Sequence, residues 1–145
     1  MKEKSKMQQR GDRMREIIFR GKTSDANKWI EGYLFVSQEG GHYIVDTNND
    51  GDNGIPVRLI LVNPETVGQY TGLTDENGKK IFEGDIVKIY DGLGRCEGIG
   101  KIQWNELFLA WHTGECKSMF GNYIASYEII GNIYDNPELL DWEEE

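Results

Sequence analysis

After Met14 the chain alternates between short apolar runs and polar, glycine-rich breaks. Ile17, Ile18 and Phe19 head the first run, which predicts a strand over Glu16 to Arg20. Trp29 to Val36 (WIEGYLFV) is rich in aromatic and branched residues around Gly32, the pattern of a strand with a bulge or a close backbone approach. A turn at Gln38 to Gly41 and a partner strand at His42 to Asp46 complete a hairpin. Val57 to Val62 and Val67 to Thr71 predict two more strands. Asp75 to Lys80 predicts a turn in which Asn77-Gly78 suits positive φ. Ile81 to Tyr90 alternates after Gly84, with Ile86, Lys88 and Tyr90 on one face and Val87 and Ile89 on the other. Arg95 to Trp104, Phe108 to His112 and Tyr123 to Tyr134 supply the remaining strands.

Only the end of the chain reads as helical. Asn136 is an N-cap type, Pro137 follows at the first helical position, and Glu138 puts acid in the first turn. One short C-terminal helical turn is expected there. The fold class is therefore mostly β, and 18 glycines between short apolar runs fit a small barrel or sandwich.

Composition narrows the picture. At 145 residues and 38% hydrophobic, the chain can build one modest core. Its apolar runs are too short for a transmembrane helix. Residues 1–13 (MKEKSKMQQRGDR) have no apolar face, so they are expected to form a flexible extension. They also lack the apolar stretch of a secretory signal. The net charge of -9 argues against sequence-independent nucleic-acid binding, since an acidic body repels phosphate. It is also what keeps many proteins soluble. Cys96 and Cys116 form no paired motif, which fits ordinary thiols in a reducing cytoplasm.

Candidate chemistry is sparse. Asp46, Asn48, Asp50 and Gly51 match loop positions 1, 3, 5 and 6 of a calcium-binding EF-hand, and Asp52 adds a carboxylate. Val57 stands where the bidentate Glu should be, so the loop reads as a polar connection with at most weak cation binding. His42 and His112 belong to no zinc-type cluster. His112 and Cys116 lie four apart without the other parts of a nucleophilic site. The glycines of Asp91 to Gly100 lack the Lys-Ser/Thr ending of a phosphate loop. Trp104, Phe108, Trp111, Phe120, Tyr123 and Tyr127 gather in the last third, as core or as a binding groove. No catalytic, cofactor-binding or metal residue is assigned, and no cofactor is expected.

Three segments stand out together: MREIIFRG (Met14 to Gly21), TGLTDENGKKIFEGDIV (Thr71 to Val87) and IIGNIYDNPELL (Ile129 to Leu140). In this order and spacing they resemble the YopX family of phage and prophage proteins. The resemblance implies a small SH3-like barrel over residues 71–145, ending in the short helical turn, and a β-rich N-terminal part over residues 14–70. It carries no functional residue across. Within these segments, Gly84 permits a turn that a Cβ would obstruct, Asp85 can bond nearby backbone N–H groups, and Pro137 ends the last strand.

The expected function is that of a non-enzymatic phage accessory protein in the host cytoplasm, bound to a protein partner or to a second copy of itself. One alternative is a nucleic-acid-associated protein using Lys79, Lys80, Lys88, Arg95 and Lys101. Another is an enzyme built from scattered carboxylates. A third is an acidic face that imitates nucleic acid.

Overall fold

In the computed structural model of the chain, residues 15–46, 58–106, 110–112 and 124–141 are described. The 1–13 extension lies outside them. The strands are β1 (Phe19–Lys22), β2 (Trp29–Val36), β3 (His42–Asp46), β4 (Leu59–Leu61), β5 (Gly68–Thr74), β6 (Lys80–Phe82), β7 (Asp85–Asp91), β8 (Cys96–Lys101), β9 (Gln103–Asn105), β10 (Ala110–His112) and β11 (Ile124–Asn132). They form a six-stranded sheet ordered β4-β3-β2-β1-β5-β6, a three-stranded sheet ordered β11-β7-β8, and a β9–β10 ribbon. The described pairings are antiparallel.

The large sheet curls. Gly32, on β2, comes so close to β3 that an added Cβ would lie 1.9 Å from the Val45 carbonyl oxygen. This is the close approach that Gly32 predicts. Beyond β1 and β4 the sheet touches itself, with Thr23 bridged to Val62 and Asn63 N–H donating to Lys22 C=O at 2.8 Å. Inside the curl, Ile44 and Val62 are almost wholly buried, and Val62 packs on Gly21.

Registers decide which side chains share the outer face. Arg20 opposes Glu31, Lys22 opposes Trp29, and Arg20 opposes Gly68 on the other side. Tyr33, Val45 and Leu59 form one row across β2, β3 and β4, and Phe35, Tyr43 and Leu61 form the next. By strand alternation these rows lie on the same face as Arg20 and Trp29.

Strand β7 is central in the small sheet, with Val87 and Ile89 on one face and Ile86, Lys88 and Tyr90 on the other. Ile86, Val87 and Ile89 are buried. Val87 and Ile89 pack with Ile81 and Ile102, and Tyr127 and Ile129 of β11 close over them. A second cluster, Ile18, Tyr70 and Phe82, lies between β1, β5 and β6.

Two expectations change. Among the described residues no sheet closes into the SH3-like barrel: β5 and β6 continue the large sheet through β1 instead of completing one around β7. The C-terminal turn at Pro137–Asp141 is a 3-10 helix and not an α-helix. It runs for five residues, too few for a run of α-type hydrogen bonds. Among the described residues, no helix is long and apolar enough to cross a membrane.

Candidate functional site

The outer face of the large sheet has a polar end, covered by the chain's other segments, and an apolar end that is exposed. The polar end begins at Arg20, fixed on β1 by pairing to both β2 and β5. Its guanidinium donates to Asp85 Oδ1 at 2.8 Å and lies over the rings of Trp29 and Phe82, 4.6 and 5.1 Å from their centroids. Arg20 Nε is buried without a hydrogen-bond partner, so the aromatic faces supply part of its stabilisation.

Asp85 reaches this position because Gly84 turns the chain at φ +93°. The Asp85 side chain then accepts from Phe82 N–H at 2.8 Å, backwards across the turn. Burial pushes its carboxyl above the ordinary value; the Arg20 charge and the Phe82 N–H reverse this only in part.

The third part comes from the end of β11. The Asn132 side chain accepts from Tyr134 and Asp135 N–H at 3.0 and 2.9 Å, folding the chain back. Asp135 is thereby presented to the Lys22 ammonium and to Trp29 Nε1, the latter at 2.8 Å. These side-chain hydrogen bonds, Lys22 first, hold its carboxyl down to about 2. The Tyr134 ring lies 5.7 Å from Trp29 and against Gly84.

A similar hook ties the β5–β6 turn to β11. Burial disfavours the charge on Asp75, but the N–H groups of Lys79, Ile129 and Asn77 together hold its carboxyl below the ordinary value. Glu76 N–H donates to Tyr127 C=O at 2.9 Å.

Beside Arg20 runs a groove of about 680 Å³ lined by Trp29, Ile30, Glu31, Lys79 and Asn132 among others. A hollow of about 450 Å³ bordered by Lys80, Phe82 and Ile129 shares Arg20, Glu31 and Lys79 with it. Asp75, Asp85 and Asp135 are each committed to several donors, so none is placed as a free base.

The apolar end is different. Tyr33, Phe35, Leu59 and Leu61 are 53, 50, 57 and 47% exposed. Tyr43 and Val45 between them are half-buried, and the Phe35 and Tyr43 rings are 6.2 Å apart. None of these six side chains is charged.

The residues singled out by sequence scatter. Asp46 ends β3, while Asn48, Asp50, Gly51, Asp52 and Val57 lie outside the described residues. No grouping of three His, Cys, Asp or Glu side chains could hold a metal among the described residues. His42 Nδ1 is 2.9 Å from Gly40 C=O. His112 lies on β10 with Cys116 outside the description, and Cys96 is an exposed free thiol. Of the late aromatics, Tyr127 packs on the core, Trp104 is 38% exposed, and the backbone of Trp111 pairs with that of Trp104. Phe108, Phe120 and Tyr123 lie outside the description.

The basic set divides as well. Lys79 and Lys80 border the groove and hollow, Lys88 opposes Glu128, Arg95 pairs with Asp91 at 2.8 Å, and Lys101 is exposed on β8. Sequence reasoning missed the apolar end. The signal was present: Tyr33 to Val36 and Leu59 to Leu61 are apolar at both alternating positions, so each sends hydrophobic side chains to two faces.

Comparison with known proteins gives a consistent picture. The sequence model of the YopX protein family matches residues 18–141. The crystal structure of protein EF1440 from Enterococcus faecalis superposes with a TM-score of 0.54 at 24% identity, covering 88% of this chain and 99% of that one. At that identity the likeness concerns the fold. No curated protein matches the chain.

Proposed function

The chain belongs to the YopX protein family, and from that premise we propose that it is a non-enzymatic protein-interaction module, a phage or prophage accessory protein acting in the bacterial host cytoplasm. The observation that carries this reading is the uncharged apolar end of the outer face. Exposed apolar clusters rimmed by polar residues serve as association sites on many small proteins, and here Tyr33, Phe35, Leu59 and Leu61 share one exposed face. Support for a non-enzymatic role is chemical: the carboxylates brought together around Arg20 already accept from cations and backbone donors. An SH3-like ancestry for the part after Thr71 belongs to the same reading. The order β11-β7-β8 and the β5–β6 turn hydrogen-bonded to β11 are what support it.

Affinity capture from host lysate, with the wild-type chain beside Phe35→Asp, tests the proposal. Wild type should retain a protein that the variant loses. Equal capture by both would remove the apolar end from the argument. Salt-sensitive mobility shifts with DNA or RNA, lost on replacing Lys79 and Lys80, would favour the nucleic-acid reading.

A further inference from the structure

We propose that the groove beside Arg20 and the hollow that adjoins it bind a small zwitterion with an apolar body, of the amino-acid or short-peptide class. The inference is independent of the apolar end and goes beyond the interaction-module reading. It starts from a register. Glu31 stands directly across from Arg20 in the β1–β2 pair, the ordinary position for a cross-strand ion pair. Asp85 takes the Arg20 guanidinium instead, at 2.8 Å. Glu31 is left exposed on the wall of both cavities, and it forms no ion pair among the described residues.

Lys79 is the second unmatched charge. Its backbone is fixed, because its N–H donates to Asp75 Oδ1 at 2.9 Å. Its side chain is exposed and lines the same two cavities. The ammonium attracts Asp75 from beyond ion-pair distance and pairs with no carboxylate among the described residues. A strand and an anchored turn thus offer one carboxylate and one ammonium to a single space.

This charge pattern selects the ligand. A simple anion would gain Lys79 but meet Glu31 and a chain of net charge -9. A simple cation would gain Glu31 but meet Lys79 and Arg20. A molecule carrying both an ammonium and a carboxylate satisfies both walls, and it has no net charge for the acidic body to repel. Its apolar part has Trp29 and Ile30 in the groove, and Phe82 and Ile129 in the hollow. The Trp29 wall is preformed, since its Nε1 donates to Asp135 at 2.8 Å. Volumes of about 680 and 450 Å³ are in the range of small-molecule sites.

Titration of the full, isotope-labelled chain with L-phenylalanine, followed by NMR, tests the site. Two analogues keep the aromatic body and lose one charge each: phenylpropionate lacks the ammonium, and phenethylamine lacks the carboxylate. Phenylalanine should bind with a Kd of about 1 mM and shift the Trp29 indole N–H and the Glu31 and Lys79 amides. Each analogue should bind about tenfold more weakly. Glu31→Gln should abolish the preference over phenylpropionate, and Lys79→Met the preference over phenethylamine. Misfolding would not produce that exchange of selectivity. Lys101→Gln, on β8 and lining neither cavity, should behave as wild type.

The dipeptide phenylalanyl-alanine separates the two sources of the ligand. Tighter binding than phenylalanine assigns the site to short peptides, and weaker binding assigns it to free amino acids. No saturable shift with either zwitterion up to about 20 mM would overturn the proposal. So would equal binding of phenylalanine and either analogue, or unchanged selectivity in both variants.

Discussion

Arg20 and Phe35 lie on the same face of the same sheet, on neighbouring strands, and the molecule treats them in opposite ways. Arg20 is covered by Asp85, Trp29 and Phe82, and beside it Lys22 is met by Asp135. Phe35 is half exposed next to other apolar side chains. A buried charge without a partner costs several kcal/mol, so the polar end is tenable only because distant segments reach it. An exposed ring carries no such penalty, and nothing in the fold compels its coverage. The contrast separates a part of the surface that folding must complete from a part that folding leaves available.

The strongest way to break this comparison is Asp85→Ala. It strands the Arg20 charge and the Phe82 N–H, and should cost about 3–5 kcal/mol in urea unfolding at pH 7. A loss no larger than that of a patch substitution would show that the polar end is not structural. Next comes Gly84→Ala, which forces a Cβ into a φ of +93° and against the Tyr134 ring at 3.1 Å. About 1–3 kcal/mol should be lost, read by the same measurement.

Asp135→Asn should cost about 1 kcal/mol near neutral pH, a modest figure because the site is partly solvated and screened. Its pH dependence sharpens the point. The folded carboxyl titrates at about 2 against an ordinary 3.8, so the unfolded chain binds the proton more readily. The stabilisation is present above about 3.8 and is lost as pH falls through about 2, so wild-type and variant melts should converge there. Asp85 contributes in the opposite sense, since its folded carboxyl is raised. Its share is greatest below the ordinary value and declines as pH rises through the folded one. The smallest effect belongs to the apolar end: Phe35→Ser should change monomer stability by no more than about 1 kcal/mol, because half of the residue is already in water and only its contact with Tyr43 is lost. A loss of several kcal/mol would mean that Phe35 is core.

Local order was legible. The hairpin at Trp29–Val36 and His42–Asp46 follows from the alternation and the glycine turn. Gly32, Gly84 and Asp85 do what their residue types suggest. The family resemblance was also legible, because its three segments are long and specific. The location of the polar end was not, since Arg20, Asp85 and Asp135 are far apart along the chain. Alone, Arg20 and Asp135 read as ordinary surface charges and Asp85 as the acceptor of a local turn.

The sequence by itself identified the family and placed the strands to within a few residues, the first expected over Glu16 to Arg20 and found at Phe19–Lys22, because alternation and backbone preference act over a few residues. It also determined that β2 and β4 are apolar on both faces. Only the tertiary structure decided which of those faces would be covered. Strand pairing places β5 and β6 beside β1, and the β7 and β11 segments come to rest over Arg20 and Trp29 and not over Phe35. That choice is made by contacts between residues distant in the chain, where a buried charge demands a partner and an exposed apolar side chain does not.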